Sequence, residues 1–122
     1  MANLETSLKE AMAIDGALGV ALVDYESGMT LGVSGGGREL DLEVAAAGNT
    51  EVVRAKARTL ESLGITESIE DILITLDQQY HVIRLLNRGG SQLFFYLALD
   101  RSRANLALAR HSLRRIESEV DL

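Results

Sequence analysis

A chain of 122 residues with a formal net charge of −6 has room for one domain, read as spanning residues 1–122, and its acidic balance argues against a nucleic-acid partner. The absence of cysteine excludes disulfides and thiolate metal sites, and the absence of proline leaves no linker announced and no strand edge blocked. No apolar run is long enough to span a bilayer. The first such run, Ala17–Val23, is short and follows a polar helix rather than forming a leader, so the cytoplasm is the expected location.

Asn3 to Met12 predicts a short amphipathic helix, capped by Asn3 and with Leu4, Leu8, Ala11 and Met12 on one seam. Gly16 leads into a strand, Ala17–Val23, that is apolar nearly throughout and therefore expected to be covered on both faces. Its large residues are Leu18, Val20 and Leu22, while Gly19 and Ala21 leave room for a helix to pack closely. Asp24 to Gly28 reads as a turn, with Asp24 and Glu26 as turn formers rather than an acid–base pair. Met29–Ser34 then alternates, Met29, Leu31 and Val33 against Thr30, Gly32 and Ser34, which makes a hairpin.

Gly35-Gly36-Gly37 is a flexible crossing. It lacks the lysine and hydroxyl that a phosphate-cradling loop places after its glycines. Leu40 to Gly64 predicts one long helix, with Asp41 as N-cap and Gly64 as stop. One seam holds Leu42, Ala46, Asn49, Val53, Ala57 and Leu60, and a second holds Val44, Gly48, Val52, Ala55 and Thr59. The remaining stripe is polar: Glu43, Thr50, Arg54, Arg58 and Glu61. A surface helix needs only one apolar stripe. The second is small as well as apolar, so it suits close contact with another chain; the competing reading is an Ala-rich helix sunk deeply into its own fold. Asn49 reads either as a hydrogen-bonded core amide or as a register pin between paired helices.

Strands are expected at Ile69–Leu76, with Ile72, Ile74 and Leu76 on one face, then at Tyr80–Leu86 and Ser91–Leu99, joined by turns at Asp77-Gln78-Gln79 and Asn87-Arg88-Gly89-Gly90. Phe94, Phe95 and Tyr96 mark the last of these as buried on both faces. A final helix, capped by Asp100 or Ser102, carries the seam Leu106, Ala109, Leu113, Ile116 and Val120. Arg101, Arg103, Arg110, Arg114 and Arg115 cluster here, but Asp100, Glu117, Glu119 and Asp121 flank them, as on a solvated helix face. The order α-β-β-α-β-β-β-α predicts an α+β fold: a five-stranded antiparallel sheet in the order 2-1-5-4-3, with helices on both faces. Its third strand is then a long apolar edge that invites pairing in trans. Together with the second seam of the long helix it points to a homodimer, with Val44, Gly48, Val52, Ala55, Thr59, Ile72 and Ile74 in the interface.

No catalytic, cofactor or metal site is expected. His81 and His111 have no second histidine or cysteine at ligand spacing, and no serine sits at a nucleophile elbow. The stretch Gly16-Ala17-Leu18-Gly19-Val20-Ala21-Leu22-Val23-Asp24, leading through a Gly28 turn into a second strand, resembles the roadblock / dynein light chain domain. The Ala-rich helix Glu43–Leu63 and the closing strand Phe94–Asp100 fit it too. The resemblance covers nearly the whole chain and implies a dimer built from antiparallel long helices and joined edge strands. It also implies a non-catalytic role, as a scaffold or regulator that binds a Ras-like small GTPase, including activation of that partner's hydrolysis, as in the bacterial members. No family residue is catalytic. On the long helix the polar stripe Glu43, Arg54, Arg58 and Glu61 is the candidate GTPase contact. The alternative is a small-molecule sensor of the longin, profilin or PAS-like layered kind, which would need a cavity lined by convergent polar groups.

Overall fold

A computed structural model describes residues 2–87 and 90–122. In chain order the elements are α1 (Leu4–Met12), β1 (Ala17–Asp24), β2 (Met29–Gly35), α2 (Leu42–Ser62), β3 (Asp71–Thr75), β4 (Gln79–Leu85), β5 (Leu93–Asp100) and α3 (Leu106–Glu119). The five strands form one antiparallel sheet in the order β2-β1-β5-β4-β3, as the hydropathy pattern predicts. The expected turn at residues 87–90 includes Arg88 and Gly89, which lie outside the described residues.

Alternation along β5 divides the core in two. Phe95, Leu97 and Leu99 pack toward α1 and α3 with Val20, Leu22, Leu113 and Ile116. Phe94, Tyr96 and Ala98 pack toward α2 with Ala21, Val23, Ala46 and Val53. Both sets are out of water, so the two most apolar strands, β1 and β5, lie side by side at the centre of the sheet. Gly19 performs the role its size suggests: a Cβ there would stand 2.9 Å from the Leu40 side chain and 3.2 Å from that of Leu42, where α2 begins.

Helix ends follow their capping chemistry. The Asn3 side chain accepts from Thr6 N at 2.8 Å, and Asp41 Oδ1 accepts from Glu43 N at 3.0 Å and Val44 N at 3.2 Å. Gly64, at φ +71°, closes α2 while Ile65 N donates to Leu60 O at 2.9 Å. The last cap differs from expectation. Asn105, not Asp100 or Ser102, caps α3, accepting from Leu108 N at 3.1 Å. Asp100 instead folds the turn after β5, accepting from Ser102 N at 3.0 Å and Ser102 Oγ at 2.8 Å. Those hydrogen bonds, with Arg103 nearby, hold its carboxyl below the usual range.

Two strands depart from the pattern reading. The edge strand β3 covers Asp71–Thr75, shorter than the expected Ile69–Leu76: before it Ile69 O accepts from the Asn87 side chain, and after it Leu76 N donates to Gln79 O in the turn to β4. On β2 the large residues Met29, Leu31 and Val33 are the exposed set, Met29 at 69 %. The cause is local. α1 presses on the small set, leaving a Cβ at Gly32 only 2.9 Å from Leu8, and a register shift between Leu22 and Val23 turns Thr30 toward α2.

Charged groups clamp the β3–β4 edge to α3. Arg110 donates to both Asp71 carboxylate oxygens at 2.8 Å. Arg84, the cross-strand neighbour of Asp71, is buried, and its Nη2 reaches Glu117 Oε1 at 3.5 Å while its Nε has no partner. Removing one member of a buried ion pair strands the other. Glu117→Ala should therefore destabilise the fold by about 3 kcal/mol, whereas the double change Arg84→Met with Glu117→Leu should cost less. Denaturant midpoints of the two variants check this, and a double variant weaker than the single would contradict it.

Candidate interaction surface

Helix α2 buries a single stripe: Leu42, Ala46, Thr50 and Val53. Thr50, grouped by its polarity with the solvent stripe, is 2 % exposed, its hydroxyl donating to Ala46 O at 2.8 Å. A threonine can bury itself in this way because its own helix satisfies the hydroxyl. Ala57, placed by spacing on the first seam, is exposed. Asn49 is half-buried and donates to Ala45 O at 2.8 Å. The second seam is open: Val44, Gly48, Val52, Ala55 and Thr59 are all exposed, Val44 at 68 % and Val52 at 38 %. The helix is thus not sunk into its own fold on two sides, and the competing reading of the second seam fails for the single chain.

One flank of α2 is tied down. Glu43 accepts from the Thr30 hydroxyl of β2 at 3.0 and 3.2 Å. Arg54 reaches the β1–β2 turn, its Nε donating to Tyr25 O at 2.9 Å and its Nη2 to Glu26 O, while Nη1 lies 3.6 Å from Glu51. Of the candidate GTPase contacts, then, Glu43 and Arg54 are engaged in holding the helix to the sheet, whereas Arg58 and Glu61 are exposed one turn further on. Nothing in the sequence signals the Arg54 contact, because its acceptors are main-chain carbonyls 29 and 28 residues away.

By helical spacing the opposite flank carries Ala45, Asn49, Val52 and Lys56. The sheet continues beyond it through β4 and β3, where Ile72, Ile74 and His81 remain half-buried on the face that α2 shares. Among the described residues β3 ends the sheet on this side. The seam residues, Ile72 and Ile74, and an open strand edge therefore all belong to the α2 side of the molecule.

His81 and Tyr96 form a small polar cluster there that the spacing of histidines did not single out. Their rings meet edge to face at 5.2 Å; Tyr96 OH lies 3.1 Å from His81 Nδ1, and Gln79 Oε1 lies 2.8 Å from His81 Nε2. Burial lowers the imidazole from its ordinary value and pushes the Tyr96 hydroxyl up to about 12. His111 lies exposed on α3. The glycine run that closes β2 has positive φ at all three positions, +74°, +76° and +146°, and Gly36 and Gly37 border an open cleft with Arg38, Glu39 and Gln79.

Among the arginines near the C-terminus, Arg103 pairs with Asp100, Arg110 with Asp71 and Arg115 with Glu10 and Glu119. Arg101 donates to Leu76 O at 2.8 Å and lies over the Tyr80 ring at 5.0 Å. Among the described residues no group of three or more His, Asp or Glu side chains could hold a metal ion, and no helix is long and apolar enough to cross a membrane.

No protein-family model matches this sequence, and no curated protein matches it. Solved structures do. MglB of Myxococcus xanthus superposes with a TM-score of 0.76 at 19% identity, over 93% of this chain and 78% of that one. A roadblock/LC7 domain from Streptomyces avermitilis gives 0.80 at 12% identity, over 96% and 93%. An MglB with a tetrameric arrangement gives 0.69 at 17% identity, over 94% and 88%. At these identities the likeness is one of fold, and it agrees with the arrangement reached from the residues: this chain has the roadblock/LC7 fold.

Proposed function

We propose that this protein is a non-catalytic homodimer that binds a Ras-like small GTPase as its scaffold or regulator in the cytoplasm. The observation that carries the dimer is Gly48. It stands in the middle of a 21-residue helix, where glycine costs about 1 kcal/mol relative to alanine. Within the chain nothing explains it, since a Cβ built there meets no atom within 4 Å. A glycine that its own fold does not need suits a backbone approached from outside. The neighbouring seam residues are exposed and uncharged, and the nearby β3 edge is unpaired, so a twofold axis can bring both features against their own copies. Self-association is recorded for a similar fold, the MglB with a tetrameric arrangement.

The small-GTPase partner rests on the roadblock resemblance. Arg58 and Glu61 are the exposed part of the polar stripe, and pairing two copies doubles them into a charged platform beside the seam. Arg54 contributes by holding α2 in place rather than by reaching a partner. Activation of the partner's hydrolysis would follow the same contact; the chain itself is expected to supply neither a phosphate loop nor a metal-ligand cluster.

Light scattering of the unmodified protein at micromolar concentration should give twice 13.2 kDa, and a mass near 13.2 kDa would overturn the dimer. Gly48→Ala separates the two environments. On a solvated helix it should raise stability by about 1 kcal/mol; in a close helix contact it should weaken association, and Gly48→Glu should abolish it.

In a pull-down with a Ras-like small GTPase from the same cell, Arg58→Glu should lower capture about tenfold, the loss of one charge-assisted contact, with the dimer mass unchanged. Equal capture would remove Arg58 from the contact. The purified chain alone should show no GTP turnover, and measurable hydrolysis would refute the non-catalytic assignment.

A further inference from the structure

His81 occupies a particular place in this arrangement. It sits on β4, one strand in from the open β3 edge, on the face of the sheet that α2 leaves uncovered and that the dimer of the preceding section would close. Its two ring nitrogens are already engaged, Nε2 with Gln79 Oε1 at 2.8 Å and Nδ1 with Tyr96 OH at 3.1 Å. Gln79 Oε1 can only accept, which puts the neutral ring's proton on Nε2. Nδ1 is then the acceptor for the Tyr96 hydroxyl. Both ring nitrogens and the Tyr96 hydroxyl have a partner in this neutral form.

Protonation breaks that circuit. Both ring nitrogens become donors, so the Tyr96 oxygen must accept and its proton loses its acceptor. In solvent a water molecule takes it. Under a second copy no water is at hand, and an orphaned donor joins a desolvated cation.

We propose that His81 makes this association acid-sensitive: a second copy can cover the neutral ring but not the imidazolium.

The surroundings offer the cation no compensation. Cross-strand, His81 faces Ile74 of β3 and Ala98 of β5. Tyr96 is its titratable neighbour, and burial keeps that phenol protonated. Arg38 and Glu39 share a cleft with Gln79 and oppose each other in sign. On α2 the flank toward this half of the sheet is uncharged except for Lys56, and an antiparallel copy brings a second Lys56 toward the same region. Asp100, opposite Gln79 on the same face, already spends its carboxylate on Ser102 and Arg103, so a proton on His81 finds no free carboxylate beside it.

The direction of the linkage follows. The imidazole is already depressed below 6.5 in the single chain by burial, and closing the interface depresses it further. Dimer stability from the neutral ring is then fully present above 6.5 and is lost as pH falls below it.

The proposal rests on the dimer, and the test keeps the two apart. Sedimentation equilibrium at pH 7.5 and pH 5.5 measures the dimer dissociation constant of the wild type and of His81→Gln, with circular dichroism checking that both stay folded. The wild type should dissociate about tenfold more readily at pH 5.5, about half a pKa unit of coupling at each of the two His81 copies, while His81→Gln should change less than about twofold. A monomer at pH 7.5 would overturn the dimer and this inference with it. A dimer that is equally tight at both pH values, or a His81→Gln variant that tracks the wild type, would overturn this inference alone. As a second readout, the His81 imidazole should titrate lower by NMR in the wild-type dimer than in a Gly48→Glu monomer; equal values would also refute it.

Discussion

From Phe94 to Leu99 strand β5 has no side chain in water, so each must be met from one face of the sheet or the other. Phe95, Leu97 and Leu99 need one layer; Phe94, Tyr96 and Ala98 need a second. A small chain can supply two layers only by placing helices on both sides, and this one divides them unevenly, α1 and α3 below and α2 above. β1, buried nearly as completely, takes the adjacent place. The weaker strands β2 and β3 are left to the edges. The three-layer architecture is thus the consequence of one strand that is apolar on both faces.

The uneven division has a functional consequence. Two helices suffice to cover the lower face, whereas α2 alone cannot cover the upper one. It is pinned over β1 and β2 by Glu43 and Arg54, and β4 and β3 extend past it with Ile72, Ile74 and His81 half-buried. The helix flank nearest that uncovered area is built from small or uncharged residues, interrupted by Lys56. A surface helix on a monomer would carry charge there. The incompleteness of the upper layer, the open β3 edge and the unexplained Gly48 are three aspects of one face, and that face is where association is proposed.

The arginine-rich end of the chain shows how charge can mislead in the opposite direction. Five arginines near α3 look like a binding patch by count, but four of them contact carboxylates, a main-chain carbonyl or a ring within the fold. They lock α3 and the β3–β4 edge in place. By contrast, Arg58 and Glu61, unremarkable by composition, stand exposed on the organising helix.

Element order, sheet order, the caps at Asn3 and Asp41 and the stop at Gly64 were all legible in the sequence, because period-two and period-3.6 patterns and turn residues are local properties of the chain. So was the existence of a second apolar seam on α2. What local pattern cannot encode is which of two alternating faces turns inward and which distant carbonyl a polar side chain will find. Alternation groups Met29, Leu31 and Val33 on one face of β2, but the register shift between Leu22 and Val23 splits them, pairing Val33 with Ala21 and Met29 with Asp24 on opposite faces, and all three are exposed. Thr50 was polar and became core because its own helix accepted its hydroxyl; Arg54 read as a solvent residue and became a tie because the β1–β2 turn came within reach. The His81–Tyr96–Gln79 cluster, joining residues on two strands, existed only once β4 and β5 were in register. Periodicity assigns residues to faces; only the packing of three layers decides which faces meet, and with them the side chains that answer to each other.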